Sequence, residues 1–171
     1  MKLKNPIPHS ISGSRIVLMN WTEIKEKAIS RAITQTKKKI TSLKDELVAL
    51  NASSETDTKS SMGDKYETGR EMIQQEKGKI SSQLAAFENQ LQLVEAISSG
   101  REVTSKMVKA GSLVVTNKAN YLLSAPIGLI KTNPAIFFLS PVAPIAQSML
   151  GLKKGEGFTF NNQDFQIQEV I

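Results

Sequence analysis

Four carboxylates fall within thirteen residues of one another, Glu55, Asp57, Asp64 and Glu67, in a stretch otherwise rich in Ser and Thr. Carboxylates on an exposed tip can complete a Mg²⁺ site that another protein half supplies, because Mg²⁺ is commonly held by one or two carboxylates together with substrate phosphates and waters. Asp57 and Asp64 are the metal candidates in that reading, and only together with a partner's carboxylates. A solubilising, helix-capping loop is the simpler reading of the same four residues. Self-contained catalysis has no constellation to rest on. There is one histidine, His9, and no cysteine, which excludes a Ser-His-Asp arrangement, thiolate metal sites and every cysteine nucleophile. Gly151, Gly155 and Gly157 lack the spacing of a phosphate loop and suit a turn instead. The chain is expected not to be an enzyme and to need no cofactor of its own.

The acidic stretch needs a carrier, and heptad spacing on both sides supplies one. Ile29, Ile33, Thr36, Ile40, Leu43, Leu47 and Leu50 recur in alternating steps of four and three, the seam of a coiled-coil helix. Asn20 and Glu23 are spaced as its cap and third residue. The seam resumes at Tyr66, Arg70, Ile73, Lys77 and Ile80 and continues through Leu84, Phe87, Leu91 and Val94. A polar break from Asn51 to Gly63 forces the two helices antiparallel, with Asp64 or Ser61 as the second cap. Ser98, Ser99 and Gly100 end the second helix. The expected organisation is a loosely docked segment over 1–20, a hairpin over 21–100 with its tip at about 51–65, and a β-rich domain over 101–171.

In that last part the periodicity shortens to β-like runs at Leu113–Thr116, Tyr121–Ser124, Ile127–Ile130 and Ala135–Leu139. Pro144 opens a short helix that Gly151 closes. Phe158–Phe160 and Phe165–Ile167 flank an Asn161-Asn162 turn and read as a closing hairpin. The fold class is therefore α+β.

Charge is unevenly placed along the chain. Residues 1–51 hold ten Lys or Arg against four Asp or Glu, whereas residues 52–67 hold two against four, within a net charge of +6. A basic stem thus carries an acidic tip. No apolar run reads as a signal peptide or a membrane span, because Pro141, Pro144 and Gln147 interrupt the most apolar stretch. A cytoplasmic location is expected.

Two stretches resemble the Gre family of bacterial transcript-cleavage factors. Ser140-Pro-Val-Ala-Pro144-Ile145-Ala146-Gln-Ser-Met-Leu150-Gly151, followed by Lys154-Gly155-Glu156, is similar to the family's S-x-D-S-P-I-A-R-A-L-x-G-K…G-D segment. Asp64-Lys-Tyr66-Glu-Thr-Gly-Arg70-Glu71 is similar to its A-E-Y-H-A-A-K-E. The resemblance implies an FKBP-like C-terminal domain docking on the rim of the RNA polymerase secondary channel, through Ser140, Pro144 and Ile145. It implies a hairpin entering that channel, a tip near the nascent RNA, and Mg²⁺ shared with the polymerase if cleavage is stimulated. It also implies a monomer with no membrane partner. Carried over from Tyr66 without a gap, the family's catalytic Asp and Glu fall on Lys59 and Met62. A lysine there opposes a cation by roughly 4 kcal/mol at 4 Å and an effective dielectric near 20. A shift of one or two residues presents Asp57 or Asp64 instead. Val142 stands where the family's docking motif has Asp.

Three rival readings remain open at this point. One is a channel-occupying inhibitor without cleavage. Another is an FKBP-like chaperone or prolyl isomerase, whose proline pocket would draw on Tyr121, Phe137, Phe138, Phe158, Phe160 and Phe165. The third is nucleic-acid binding by the basic stem around Lys37-Lys38-Lys39, which salt would weaken steeply.

Overall fold

The computed structural model describes residues 19–56, 63–99 and 105–171, with side chains throughout except at 53–56 and 63–67. Two long helices come first, α1 (Trp21–Thr56) and α2 (Gly63–Ser99). The strands β1 (Leu113–Thr116), β2 (Asn120–Leu123), β3 (Gly128–Ile130) and β4 (Ile136–Leu139) follow. Then come α3 (Pro144–Met149), β5 (Gly157–Phe160) and β6 (Gln163–Val170). This is the expected α+β class, a two-helix hairpin followed by a small β-rich domain with one short helix.

The start of α1 is capped as its sequence requires. The Glu23 amide donates to Asn20 Oδ1 at 3.2 Å, and the Ile24 amide donates to the Asn20 carbonyl at 3.1 Å, which satisfies donors the helix itself cannot. The seam is the contact face: Ile29, Thr36, Ile40, Leu43, Ile80 and Val94 are buried, while Leu47, Leu50, Leu84, Phe87 and Leu91 are half-buried. Thr36 fits this apolar seam because its hydroxyl donates to the Ala32 carbonyl at 2.8 Å. Arg70 is exposed and Lys77 half-buried, so these two charges leave the seam rather than break it.

Helix extends further into the polar break than its composition foretells. Residues 51–56 continue α1, and Gly63 and Asp64 already belong to α2, so Asp64 sits in the first turn instead of capping from outside. Propagation adds one hydrogen bond per residue once a helix is nucleated, and that outweighs the mild preference of Asn and Ser for turns. Gly78 lies in the middle of α2, and a Cβ added there would meet nothing within 4 Å. Gly78→Ala is therefore expected to stabilise the hairpin by about 0.8–1 kcal/mol. The check is a higher urea midpoint at unchanged slope.

The sheet runs in the order β3-β4-β2-β1-β6-β5. All neighbours are antiparallel except β2 and β4, where Leu122 pairs with Phe138 in parallel. Alternation along the strands sends side chains into two cores. Leu113, Val115, Leu122, Ile130, Ile136 and Phe138 face the hairpin, where Ala28, Ala32 and Val94 meet them. Val114, Tyr121, Leu123, Phe165 and Ile167 face the other way, under Ala146 and Met149 of α3. Each large apolar side chain buried this way contributes roughly 1.5–3 kcal/mol. Ala28 and Ala32 lie off the heptad seam, and their small size lets the α1 backbone approach the sheet.

Two polar ties add to this junction. Lys25 Nζ donates to the Ile171 carbonyl at 3.1 Å, and the Arg31 guanidinium donates to the Lys131 carbonyl. The closing hairpin turns on Asn161 and Asn162, both at positive φ (49° and 58°), as a two-residue turn matched to strand twist requires. β6 is longer than the Phe165–Ile167 expected from alternation, because its end pairs with β1, Val170 opposite Val114.

Candidate functional site

Two ion pairs fix how the helices are aligned. Lys37 Nζ lies 2.9 Å from Glu95 Oε1, and Lys44 Nζ lies 3.1 Å from Glu88 Oε1. Seven residues forward on α1 therefore correspond to seven back on α2. Both pairs are exposed and contribute little to stability, yet their register has a geometric consequence. Going on from Lys44 to Thr56 at the same step brings Glu88 back to Glu76. The helical end of α1 is thus level with Glu76, and residues 63–75 of α2 run past it by roughly 20 Å at 1.5 Å per residue. Residues 68–72 are exposed, as an overhang without a helical neighbour must be.

This alignment separates the candidate carboxylates. Asp64, in the first turn of α2, stands at the far end of the hairpin, and Glu67 is one turn below it. Glu55, in the last turn of α1, is level with Lys77, roughly 20 Å back along the axis. Asp57, Lys59 and Met62 lie outside the described residues, and the side chains of Glu55, Asp64 and Glu67 are likewise not described. Among the described residues no group of three or more His, Cys, Asp or Glu is gathered so as to hold a metal ion.

The other candidate surface is the corner where β4 runs into α3. Ser140 builds the corner: its hydroxyl accepts the Val142 amide at 3.4 Å, and its carbonyl accepts the Ala143 amide at 2.9 Å. Gln147 Nε2 donates to the Pro141 carbonyl at 2.6 Å, tying the corner to α3. Pro144 occupies the first helical position, where no amide is missed. Of the three expected docking residues, Pro144 is exposed, Ile145 is half-buried against the α3 core, and the half-buried Ser140 serves the turn.

What this corner presents is Val142, which is 80% exposed. On the neighbouring strands Leu129 and Phe137, 46% and 39% exposed, are directly paired across β3 and β4. Phe137 in turn lies 6.0 Å, centroid to centroid, from Tyr121 on β2. Burial raises the Tyr121 phenol above its ordinary range, so the hydroxyl stays neutral throughout the pH range in which the fold is handled. The sequence reading named Phe137 only as a candidate for a proline pocket and did not single out Leu129. Their signal was the apolar content of the two runs Ile127–Ile130 and Ala135–Leu139.

The remaining candidates are dispersed. Phe138 is fully buried in the core facing the hairpin, whereas Tyr121, Phe158 and Phe165 belong to the opposite core. Phe160 packs against that same core and Phe137 lies beside Tyr121, so Phe138 alone among the six aromatic candidates is on the hairpin side. Lys37 is committed to Glu95, while Lys38 and Lys39 are exposed beside it. Glu23 pairs with Lys27 one turn on, and that hydrogen bond holds its carboxyl below the usual range.

No family model matches the chain, and no curated protein matches it. Among solved structures it is similar to the GreA factor homolog 1 protein of Thermus thermophilus, at 16% identity and a TM-score of 0.32, covering 81% of this chain and 94% of that one.

Proposed function

We propose that this chain is a Gre-type accessory factor of RNA polymerase, which seats its β-rich domain on the enzyme's surface and passes its hairpin into the secondary channel. The observation that carries this reading is the exposed apolar surface of Leu129, Phe137 and Val142. Val142 lies within the Ser140–Gly151 segment that resembles the Gre docking motif, Phe137 precedes that segment on β4 with Leu129 paired opposite it, and apolar surface left open to water marks interaction sites. The hairpin supports it, because the overhang of α2 carries Asp64 far from the sheet. No helix among the described residues is long and apolar enough to cross a membrane, in keeping with a partner met in solution. The chain brings no catalysis of its own. If cleavage is stimulated, the polymerase performs it with Mg²⁺, and Asp57 or Asp64 is the carboxylate of this chain that assists.

The test is direct binding of the full chain to its cognate RNA polymerase, with a backtracked-complex RNA cleavage assay in parallel. Saturable binding is expected, and its absence would overturn the proposal. Any cleavage above the polymerase's intrinsic rate is expected to fall to that rate when Asp57 and Asp64 are both replaced by Ala and to survive Glu55→Ala, because the helix register sets Glu55 well back from the end. Binding without cleavage marks a channel-occupying regulator.

A further inference from the structure

Where the base of the hairpin meets the sheet, a groove of about 910 Å³ opens between α1, the end of α2 and the segment leading into β1. Its floor is aliphatic, made by Ile29, Ile33, Ile97 and Val170. Its rim is cationic: Lys25, Lys106 and Lys109 border it, and Glu26 is the one acidic side chain among its described lining residues. Lys25 is anchored to the Ile171 carbonyl, whereas Lys106 and Lys109 are exposed. Ser30, Thr34 and Ser98 add hydroxyls between floor and rim.

We propose that this groove binds a small organic phosphate of mononucleotide size, the flat face of its base on the isoleucine floor and its phosphate at Lys106 and Lys109. The volume falls within the roughly 300–1,000 Å³ of small-molecule sites, which favour junctions between structural units and combine an apolar lining with a few convergent polar groups. Lysines bind phosphate as point charges, and Lys106 and Lys109 both border this groove. The aliphatic floor separates such a ligand from a bare inorganic anion. The cationic rim separates it from a neutral apolar one.

Calorimetric titration of the full chain at low salt, with AMP, ATP and inorganic phosphate in turn, tests this without any polymerase, so its outcome is independent of the function proposed above. Both nucleotides are expected to bind saturably at one site, inorganic phosphate at least about tenfold more weakly than AMP. The double variant Lys106→Glu/Lys109→Glu is expected to lose at least about tenfold in nucleotide affinity. Ser30→Trp, which places an indole in the groove from an exposed position, is expected to block binding. Circular dichroism and thermal melting confirm that both variants are folded. Silence with both nucleotides, equal affinity for inorganic phosphate, or undiminished binding in either folded variant would overturn the assignment.

Discussion

Phe138→Ala is expected to destabilise the protein by about 3–5 kcal/mol, a large share of the roughly 5–15 kcal/mol that holds a typical domain together. Phe138 is fully buried, and it sits on the side of β4 that faces the hairpin, in one cluster with Ala28, Ala32, Val94, Leu122 and Ile136. Truncation leaves a cavity in a cluster shared by both helices and by β1, β2, β3 and β4, none of which can close it without moving the others. Loss of helical and sheet signal in a single transition, at a much lower denaturant midpoint, is the predicted outcome. Phe137→Ala is the internal control. That ring is 39% exposed on the opposite side of the same strand, and its truncation should cost well under half as much. Equal losses at the two positions would mean that the sidedness of β4 is not as described.

The contrast between these two neighbours also shows where the sequence was legible and where it was not. The heptad steps from Ile29 to Leu50 and from Tyr66 to Val94 were readable because a two-helix seam depends only on local spacing. The turn at Asn161-Asn162 was readable because few residues accept positive φ at both central positions. Phe137 and Phe138, by contrast, form part of an apolar run that carries no mark of which ring points inward. That is decided by the pairing of β4 with β2 and β3, and the parallel β2–β4 pairing is a non-local fact. Ala28 and Ala32 went unnoticed for a related reason. Alanine adds little to a hydrophobic pattern, and its role here is to be small.

The hairpin tip shows a third kind of loss. Ser, Thr and Asn between residues 51 and 63 read as a connection centred within the break, and on that reading Asp57 and Asp64 were equivalent candidates. The ion pairs Lys37–Glu95 and Lys44–Glu88 make the two helices unequal in reach, so Asp64 is carried to the end and Glu55 is left behind. The seams alone do not carry this offset, because a heptad repeat lets one helix slide past the other by seven residues without changing the pattern. The offset becomes visible only when the ion pairs align the helices against each other.

The proposed docking surface gives the second large effect. The double variant Leu129→Asp/Val142→Asp is expected to weaken binding to the cognate RNA polymerase by about thirtyfold or more, the equivalent of losing about 2 kcal/mol at an interface centre. Melting should hardly change, because both side chains are already in water, 46% and 80% exposed, and Val142 is in a turn held by Ser140 rather than by its own packing. Met107→Asp, at a residue 46% exposed on the isolated bridge to Lys153, controls for the mere addition of negative charge and should leave binding near its original value. The single Val142→Asp variant separates two explanations of the same surface. It restores the residue that the Gre docking motif carries, so a polymerase that accepts that motif should bind the variant more tightly while the cognate enzyme binds it more weakly. Unchanged affinity of the folded double variant for its cognate polymerase would remove this surface from the interface, and with it the observation on which the proposed function chiefly rests.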